Sequence, residues 1–502
     1  MTRPTTQSFQ QVRIRPEAGS HQLVQECHIK ESAHVQEQEK FEENLLQRCP
    51  AYLWPGNSYQ KACPRPILIT KKHQKQLEDL HEALTLAVTD IVERWWIDQD
   101  AHFPDRMPLE PQEEQLLRWI ETQIINNKFP IYRECRGSWR PDFLVEDVLG
   151  ENGIAVENYR ITEINARFSF NGFLHSILAY EALEDMGAGK NGLRCAANPR
   201  KLLDGAISLF QTGVPLHLLK GKEPGMDIHM LLHIVEQRLG FRPRIITPAQ
   251  LRLFTLDDGS GYKLCCLVGQ NEEISPFAWQ TNIGEFVEEI YQLGLELHQS
   301  ELLALEPEML RQISLRCFND LRSIFLTHDK RMLGILKQEL NSLVTRCVIT
   351  GAHAQILDQG IADTYLPGSK ELERLFCLAQ QFPDLRKEFI LKPIRSGKGA
   401  GIVFGEEFTA EDWISALQLQ RSTQIISGVT CIVQRRITPK LYGLVLSSSG
   451  VRVQVQNPLV GTYFVVHGRL LGLGLWRSSP DKICAISNGG AWICSVISQD
   501  EI

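Results

Sequence analysis

Two pairs of polar residues stand out, each at i, i+2 inside an apolar run. Glu163 and Asn165 lie in Ile161-Thr162-Glu163-Ile164-Asn165-Ala166-Arg167, and Arg140 and Asp142 lie in Trp139-Arg140-Pro141-Asp142-Phe143. Side chains two apart on a strand leave the same face. A carboxylate beside an amide oxygen suits a hard cation such as Mg²⁺, which keeps waters and takes substrate phosphates as further ligands. An arginine and a second carboxylate on a neighbouring strand would complete a cluster for a cation and an anion together. One such pair is equally the polar face of an ordinary strand. Two pairs on consecutive strands carry more weight.

Downstream, Phe389-Ile390-Leu391-Lys392-Pro393 reads as a strand ending at a lysine. Arg395-Ser396-Gly397-Lys398-Gly399-Ala400-Gly401 follows it. Glycines let backbone N–H groups approach phosphate oxygens without obstruction by a Cβ. The G-x-G-x-G spacing is neither the dinucleotide fingerprint nor a P-loop, and a flexible hairpin with an exposed lysine would look the same. A fourth cluster, His328-Asp329-Lys330-Arg331, follows Ile324-Phe325-Leu326. Lys330 could be a second nucleotide lysine, or belong to a charged loop or helix start. A cation site together with a phosphate-holding loop points to an enzyme that uses ATP.

These residues need strands to align them and helices to hold the strands. Leu77, Leu80, Leu84, Val88, Ile91 and Trp95 form one apolar stripe, which predicts a helix. A second helix is expected over Pro111–Asn126. Strands are expected over Arg140–Glu146 and Tyr159–Asn165, and a helix over Asn171–Met186 with Gly187 as its stop. Residues 195–300 read as an α/β unit: strand Val214–Leu219, helix Asp227–Leu239 closed by Gly240, strands Pro243–Thr247 and Tyr262–Val268. That alternation implies a small parallel sheet. Ile283–Leu295 and Pro307–Phe325 are expected to be helical. The last stretch is strand-rich: Glu388–Lys392, Gly401–Phe404, Thr430–Arg435, Val451–Gln456, Tyr463–Val466 and Ala485–Val496. Residues 1–60 are polar and irregular, with a Gln/Glu-rich patch at Val35–Glu43, and read as an extension.

The 502 residues suffice for about three domains. Hydrophobic content of 43% and charged content of 23% are ordinary for a globular protein. A net charge of −7 opposes general nucleic-acid binding but not a small anionic ligand. Met1–Gln10 has no apolar core of signal-peptide length, and no apolar run approaches a membrane span. The thirteen scattered cysteines contain no CxxC. The expectation is reduced thiols in the cytoplasm, with neither nucleic acid nor membrane as partner.

On the motifs quoted, the chain resembles the ATP-grasp ligases, in the circularly permuted arrangement of eukaryotic glutathione synthetase, over about residues 60–502. Ordinary ATP-grasp enzymes place the lysine and glycine loop before the E-x-N strand; here the order is reversed. The resemblance implies an α/β (α+β) ATP-grasp fold, circularly permuted, with an inserted small parallel α/β substrate domain. Its divisions would be an extension (1–60), the metal strands (61–190), the inserted domain (195–300), a helical connector opening the nucleotide half (301–385), and the lid loop, hinge and C-terminal strands (386–502). It implies that Arg140 supports the transferring phosphoryl group and that Asp142, Glu163 and Asn165 bind Mg²⁺. It implies that Lys330 and Lys392 contact ATP, that Gly397, Gly399 and Gly401 close over the γ-phosphate, and that Val433 and Gln434 lie on the hinge strand meeting adenine. Arg477 and Asn488, the latter in Asn488-Gly489-Gly490, match further phosphate and substrate contacts.

Two departures bear on substrate. Ser396 stands where the family has a metal-binding glutamate, and Phe168-Ser169-Phe170-Asn171 replaces a serine-rich run. The implied activity is a carboxylate–amine ligase that forms an amide on a small molecule through an acyl phosphate, releasing ADP and phosphate. A small-molecule kinase and a non-catalytic nucleotide-binding module are the alternatives. The resemblance also allows a homodimer.

Overall fold

The computed structural model describes residues 8–15, 20–24, 31–150, 153–190, 192–259, 261–269, 276–448 and 451–498. The expectation for the N-terminal leader rests partly on Met1–Gln7, which lie outside the described residues.

A ten-stranded sheet forms the body. Its path runs Ser20–Leu23, Gln10–Arg15, Ala62–Ile69, Ala491–Ser498, Trp476–Ser478, Val460–Val466, Ser138–Leu149 and Ala155–Asn165. Along this path only the pairing of Ala62–Ile69 with Ala491–Ser498 is parallel. The sheet therefore joins the two ends of the chain. The expected stripe helix is Lys71–Arg94, started by a reciprocal cap: Thr70 Oγ1 accepts from His73 N at 3.3 Å, and His73 Nδ1 accepts from Thr70 N at 3.2 Å. Leu77, Leu80, Leu84, Val88 and Ile91 are all buried on its inner face.

The N-terminal segment is more ordered than its composition indicated. Glu31–Arg48 is a helix and Gln10–Arg15 is a strand of the main sheet. The buried face of that helix is His34, Gln38, Phe41, Asn44 and Leu45. It has helical spacing but mixed polarity, so a search for an apolar stripe passes over it.

The small parallel sheet exists with a different third strand. Its order is Leu293–Glu296, His217–Lys220, Arg244–Ile246, and helix Ile228–Leu239 makes the crossover. Tyr262–Leu267 belongs instead to an antiparallel sheet with Leu251–Thr255, Phe286–Glu289 and Ala278–Gln280. The helix expected over Ile283–Leu295 is thus two strands. Residues 292–297 are all buried, so the second of these strands is covered on both faces, and a Cβ on Gly294 would lie 2.8 Å from Leu218. The helix expected over Pro307–Phe325 stops at Ser314, and a separate turn of π-helix spans Ser323–Thr327. Between them the backbone bonds to the Leu293 strand, Leu293 N to Arg316 O at 2.9 Å and Phe318 N to Leu293 O at 3.0 Å.

The C-terminal part contributes a four-stranded antiparallel sheet, Thr364–Tyr365, Cys431–Arg435, Phe389–Pro393 and Val403–Phe404. Helices Lys370–Gln381 and Ala410–Leu419 cover it, with a core of its own around Leu375, Phe376, Leu391, Trp413 and Val433. The last expected strand begins at Ala491 rather than Ala485, because Ile486–Asn488 is a turn ended by Gly489 at φ +84°. Among the described residues no helix is long and apolar enough to cross a membrane.

Candidate active site

The two motif strands are hydrogen-bonded neighbours. Arg140 stands opposite Asn165 and Asp142 opposite Glu163, with a bulge immediately after Asp142. On the other side Thr462 faces Asp142, and Val460 of the same strand faces Arg477. One patch of the sheet therefore carries Arg140, Asp142, Glu163, Asn165 and Arg477. Asp142 Oδ2 accepts from Asn165 Nδ2 at 3.2 Å and lies 3.0 Å from Arg477 Nη2. Arg140 Nη1 donates to Asn171 Oδ1 at 3.0 Å.

Above this patch lies the four-stranded sheet. Lys392 Nζ donates to Thr162 O at 3.0 Å, beside Glu163, and to Gln434 Oε1 at 3.2 Å. Gln434 is itself fixed by Thr364 Oγ1, to which its Nε2 donates at 2.9 Å. Lys330 is the N-cap of helix Arg331–Thr345; its ammonium lies 3.6 Å from Glu163 Oε2 and donates to Ser396 O in the glycine loop. Burial would raise the Glu163 carboxyl, but Lys330, Lys392, Arg477 and Arg140 hold it well below the usual carboxylate range. Burial lowers Lys392 to about 8, with Lys330 adding to the shift and Glu163 and Asp142 opposing it. Burial, with Arg167 and Lys330 near, keeps His328 neutral.

The loop itself is held at several points. Gly399 and Gly401 have φ of +77° and +73°, and a Cβ on Gly399 would come within 2.4 Å of Ile483. Arg395 pairs with Glu113 and lies 3.4 Å from Asp329. Lys398 pairs with Glu223, which also faces His298 at 3.4 Å.

The sheet patch, Lys392 and most of the loop line one cavity of about 990 Å³. It includes Arg140, Asp142, Glu163, Asn165, Lys392, Gly397, Gly399, Gln434 and Arg477 from the expected set. Lys330 sits behind Glu163 rather than on the wall. Gly401, Val433 and Asn488 do not reach the lining; the Val433 side chain is in the core of the smaller sheet, and its strand is paired on both sides. The chain at that edge of the cavity is the segment after it, from Gln434 to Ile437 and Pro439. Residues not anticipated include Arg167, Glu223, His298 and Arg395. Arg167 continues the two-residue alternation of the E-x-N motif, a signal that was present; Glu223 and His298 arrive through tertiary packing alone.

The donor set fits a cation-bound polyphosphate. Arg477 Nε is buried without a hydrogen-bond partner, and Arg140 Nε and Asp142 Oδ1, also without one, face each other as an ion pair at 3.4 Å. Four cationic side chains stand against two carboxylates, an excess of two positive charges beneath a glycine loop.

A family model described as the AnkG N-terminal domain matches residues 80–326. The ATP-grasp enzyme ankG of Aspergillus thermomutatus is 34% identical over 446 residues, covering 88% of this chain and 89% of that protein. The chain belongs to the ATP-grasp enzymes. Its fold is also similar to that of a glutathione synthetase-like effector from Globodera pallida, at 11% identity and a TM-score of 0.51, over 93% of this chain and 98% of the other. The family that the motifs resemble is thus shown, and the fold likeness agrees with it. Both departures noted above reach the cavity: Ser396 and Phe168 line it.

Proposed function

We propose that this ATP-grasp enzyme joins a carboxylate to an amine on small-molecule substrates, with ATP as phosphoryl donor and ADP and phosphate as products. The supporting observation is the convergence of Arg140, Lys330, Lys392 and Arg477 on Glu163 and Asp142 within one cavity. The circularly permuted order and the inserted domain around the small parallel sheet are part of this reading, as are a cytoplasmic location and a homodimer.

ATP would bind with its outer phosphates between the sheet patch and the glycine loop, and its base toward the apolar end near Ile390, Phe404, Ile437 and Pro439. Glu163, Asn165 and Asp142 would hold Mg²⁺, which neutralises phosphate oxygens when bound. A carboxylate oxygen of the acid attacks the γ-phosphorus, the bond from that phosphorus to the β–γ bridging oxygen breaks, and ADP leaves with the electron pair. Arg140 and Lys392 stabilise charge on the equatorial oxygens during transfer. The amine nitrogen then attacks the acyl carbon, phosphate departs, and the amine loses its proton. The loop, held by Arg395 and Lys398, excludes water that would hydrolyse the acyl phosphate.

Separation of the nucleotides after turnover tests the reading. ADP with one phosphate per amide is expected. AMP and pyrophosphate would refute it. Phosphorylated product accumulating with no requirement for an amine would favour the kinase alternative.

A further inference from the structure

Arg167 follows the metal strand and lies in the cavity wall. It is 7% exposed. Its Nη2 donates to two neutral acceptors, His328 Nε2 at 2.8 Å and Arg395 O at 3.0 Å. Its Nε is buried without a hydrogen-bond partner. The nearby carboxylates are committed elsewhere: Glu113 to Arg395, Asp329 to Arg331, and Glu223 to Lys398 and His298. A guanidinium removed from water with carboxylates near but none in ion-pair contact is costly, and a ligand in the cavity is the remaining source of one.

The anion is either a phosphate of the nucleotide or a group on the other substrate. The phosphate set is already complete around Glu163, where Lys330, Lys392, Arg477 and Arg140 dominate the field. The charges felt most by Arg167 are those of Arg395, Glu223, Asp329 and Glu113, a different group. Glu223 and His298 line the same cavity and follow strand His217–Lys220 and strand Leu293–Glu296 of the small parallel sheet. The planar fork of a guanidinium matches a carboxylate.

We propose that Arg167 binds a carboxylate of the acid substrate other than the one that is activated, so that the acid is a dicarboxylate or a larger polyacid. This rests on the ligase reading of the cavity. One carboxylate is presented to the γ-phosphate beside Arg140, and the second neutralises Arg167 and fixes the orientation of the first.

The test uses the full chain with succinate and glutarate against butyrate and valerate, by calorimetry, with and without Mg²⁺ and a non-hydrolysable ATP analogue. Wild type is expected to bind the dicarboxylates at least about tenfold more tightly, the scale of one charge-assisted contact. Arg167→Met should lose that preference and keep its affinity for the analogue, and Arg167→Lys should recover part of the preference. Matching urea unfolding curves exclude loss of fold as the cause. Equal binding of both acid classes by wild type, or an unchanged preference in Arg167→Met, overturns the proposal. Loss of analogue affinity with acid preference intact reassigns Arg167 to phosphate and overturns it as well. Failure of wild type to bind the analogue would sink the ligase reading, while the nucleotide-free arm still judges Arg167.

Discussion

Replacing Lys392 by methionine separates the cost of the site from its use. The ammonium is 4% exposed, and burial lowers its pKa from 10.5 to about 8. The unfolded chain therefore holds this proton more strongly than the folded one, and wild-type stability rises as pH increases from about 8 toward 10.5. Below pH 8 the full penalty applies. A shift of this size corresponds to roughly 3 kcal/mol. Methionine keeps the stem and removes the charge, but gives up the hydrogen bonds to Thr162 O and Gln434 Oε1, worth about 1 kcal/mol net each. The nucleotide-free variant should therefore be about 1 kcal/mol more stable than wild type at pH 7. The gap should narrow at pH 10, because the other titrating groups are common to both proteins and cancel. Urea unfolding at the two pH values measures this. ATP affinity should move the opposite way, weakening by about 1.5–3 kcal/mol. A variant less stable than wild type at pH 7, or a gap independent of pH, refutes the account of Lys392 as a charge held in place for a ligand. Unchanged ATP binding refutes its role.

Glu163→Ala should retain the fold and reduce turnover by about 10²–10³-fold, the loss typical of one electrostatic group at a reacting phosphate; full activity at ordinary Mg²⁺ would overturn the metal assignment. Asp142→Asn should affect rate more than nucleotide binding, since charge is lost with little change of volume, and steady-state kinetics beside calorimetry reads the split. Burial raises Glu113 to about 7 despite Arg395. Its folded pKa lies above the unfolded one, so its stabilising contribution is complete below about pH 4.5 and is lost as pH rises toward 7. Glu113→Gln should flatten that slope in thermal unfolding from pH 5 to 7; an unaltered slope would remove Glu113 as its source. Gly399→Ala places a methyl group within 2.4 Å of Ile483 at φ +77°, so the loop should close less well and kcat should fall more than ATP affinity; a kcat equal to wild type would contradict the observed loop packing.

The i, i+2 pairs Arg140/Asp142 and Glu163/Asn165 were legible because strand alternation is a local rule, and it sends both members of a pair to one face whatever surrounds them. The stripe from Leu77 to Ile91 was legible for the same kind of reason, since burial demands helical periodicity. Locally apolar alternation is weaker evidence between Ile283 and Leu295, where short strands and a helix share the same residues. The helix Glu31–Arg48 was hidden because its inner face is partly polar, with Gln38 donating to Ala62 O at 2.8 Å.

Other features belong to the tertiary structure alone. The sequence determined which residue types could hold a cation and a phosphate; it carried no measure of how far Lys330 and Lys392 lie from Glu163, because they stand 167 and 229 positions further along the chain. Only sheet register put Asp142 opposite Glu163 and Arg477 beside them. Only the packing of the small parallel sheet against the glycine loop brought Glu223 to Lys398, and only burial left Arg167 without a carboxylate. Charge in a folded chain is set by distances through space and by exclusion of water, and neither quantity is written in the order of residues.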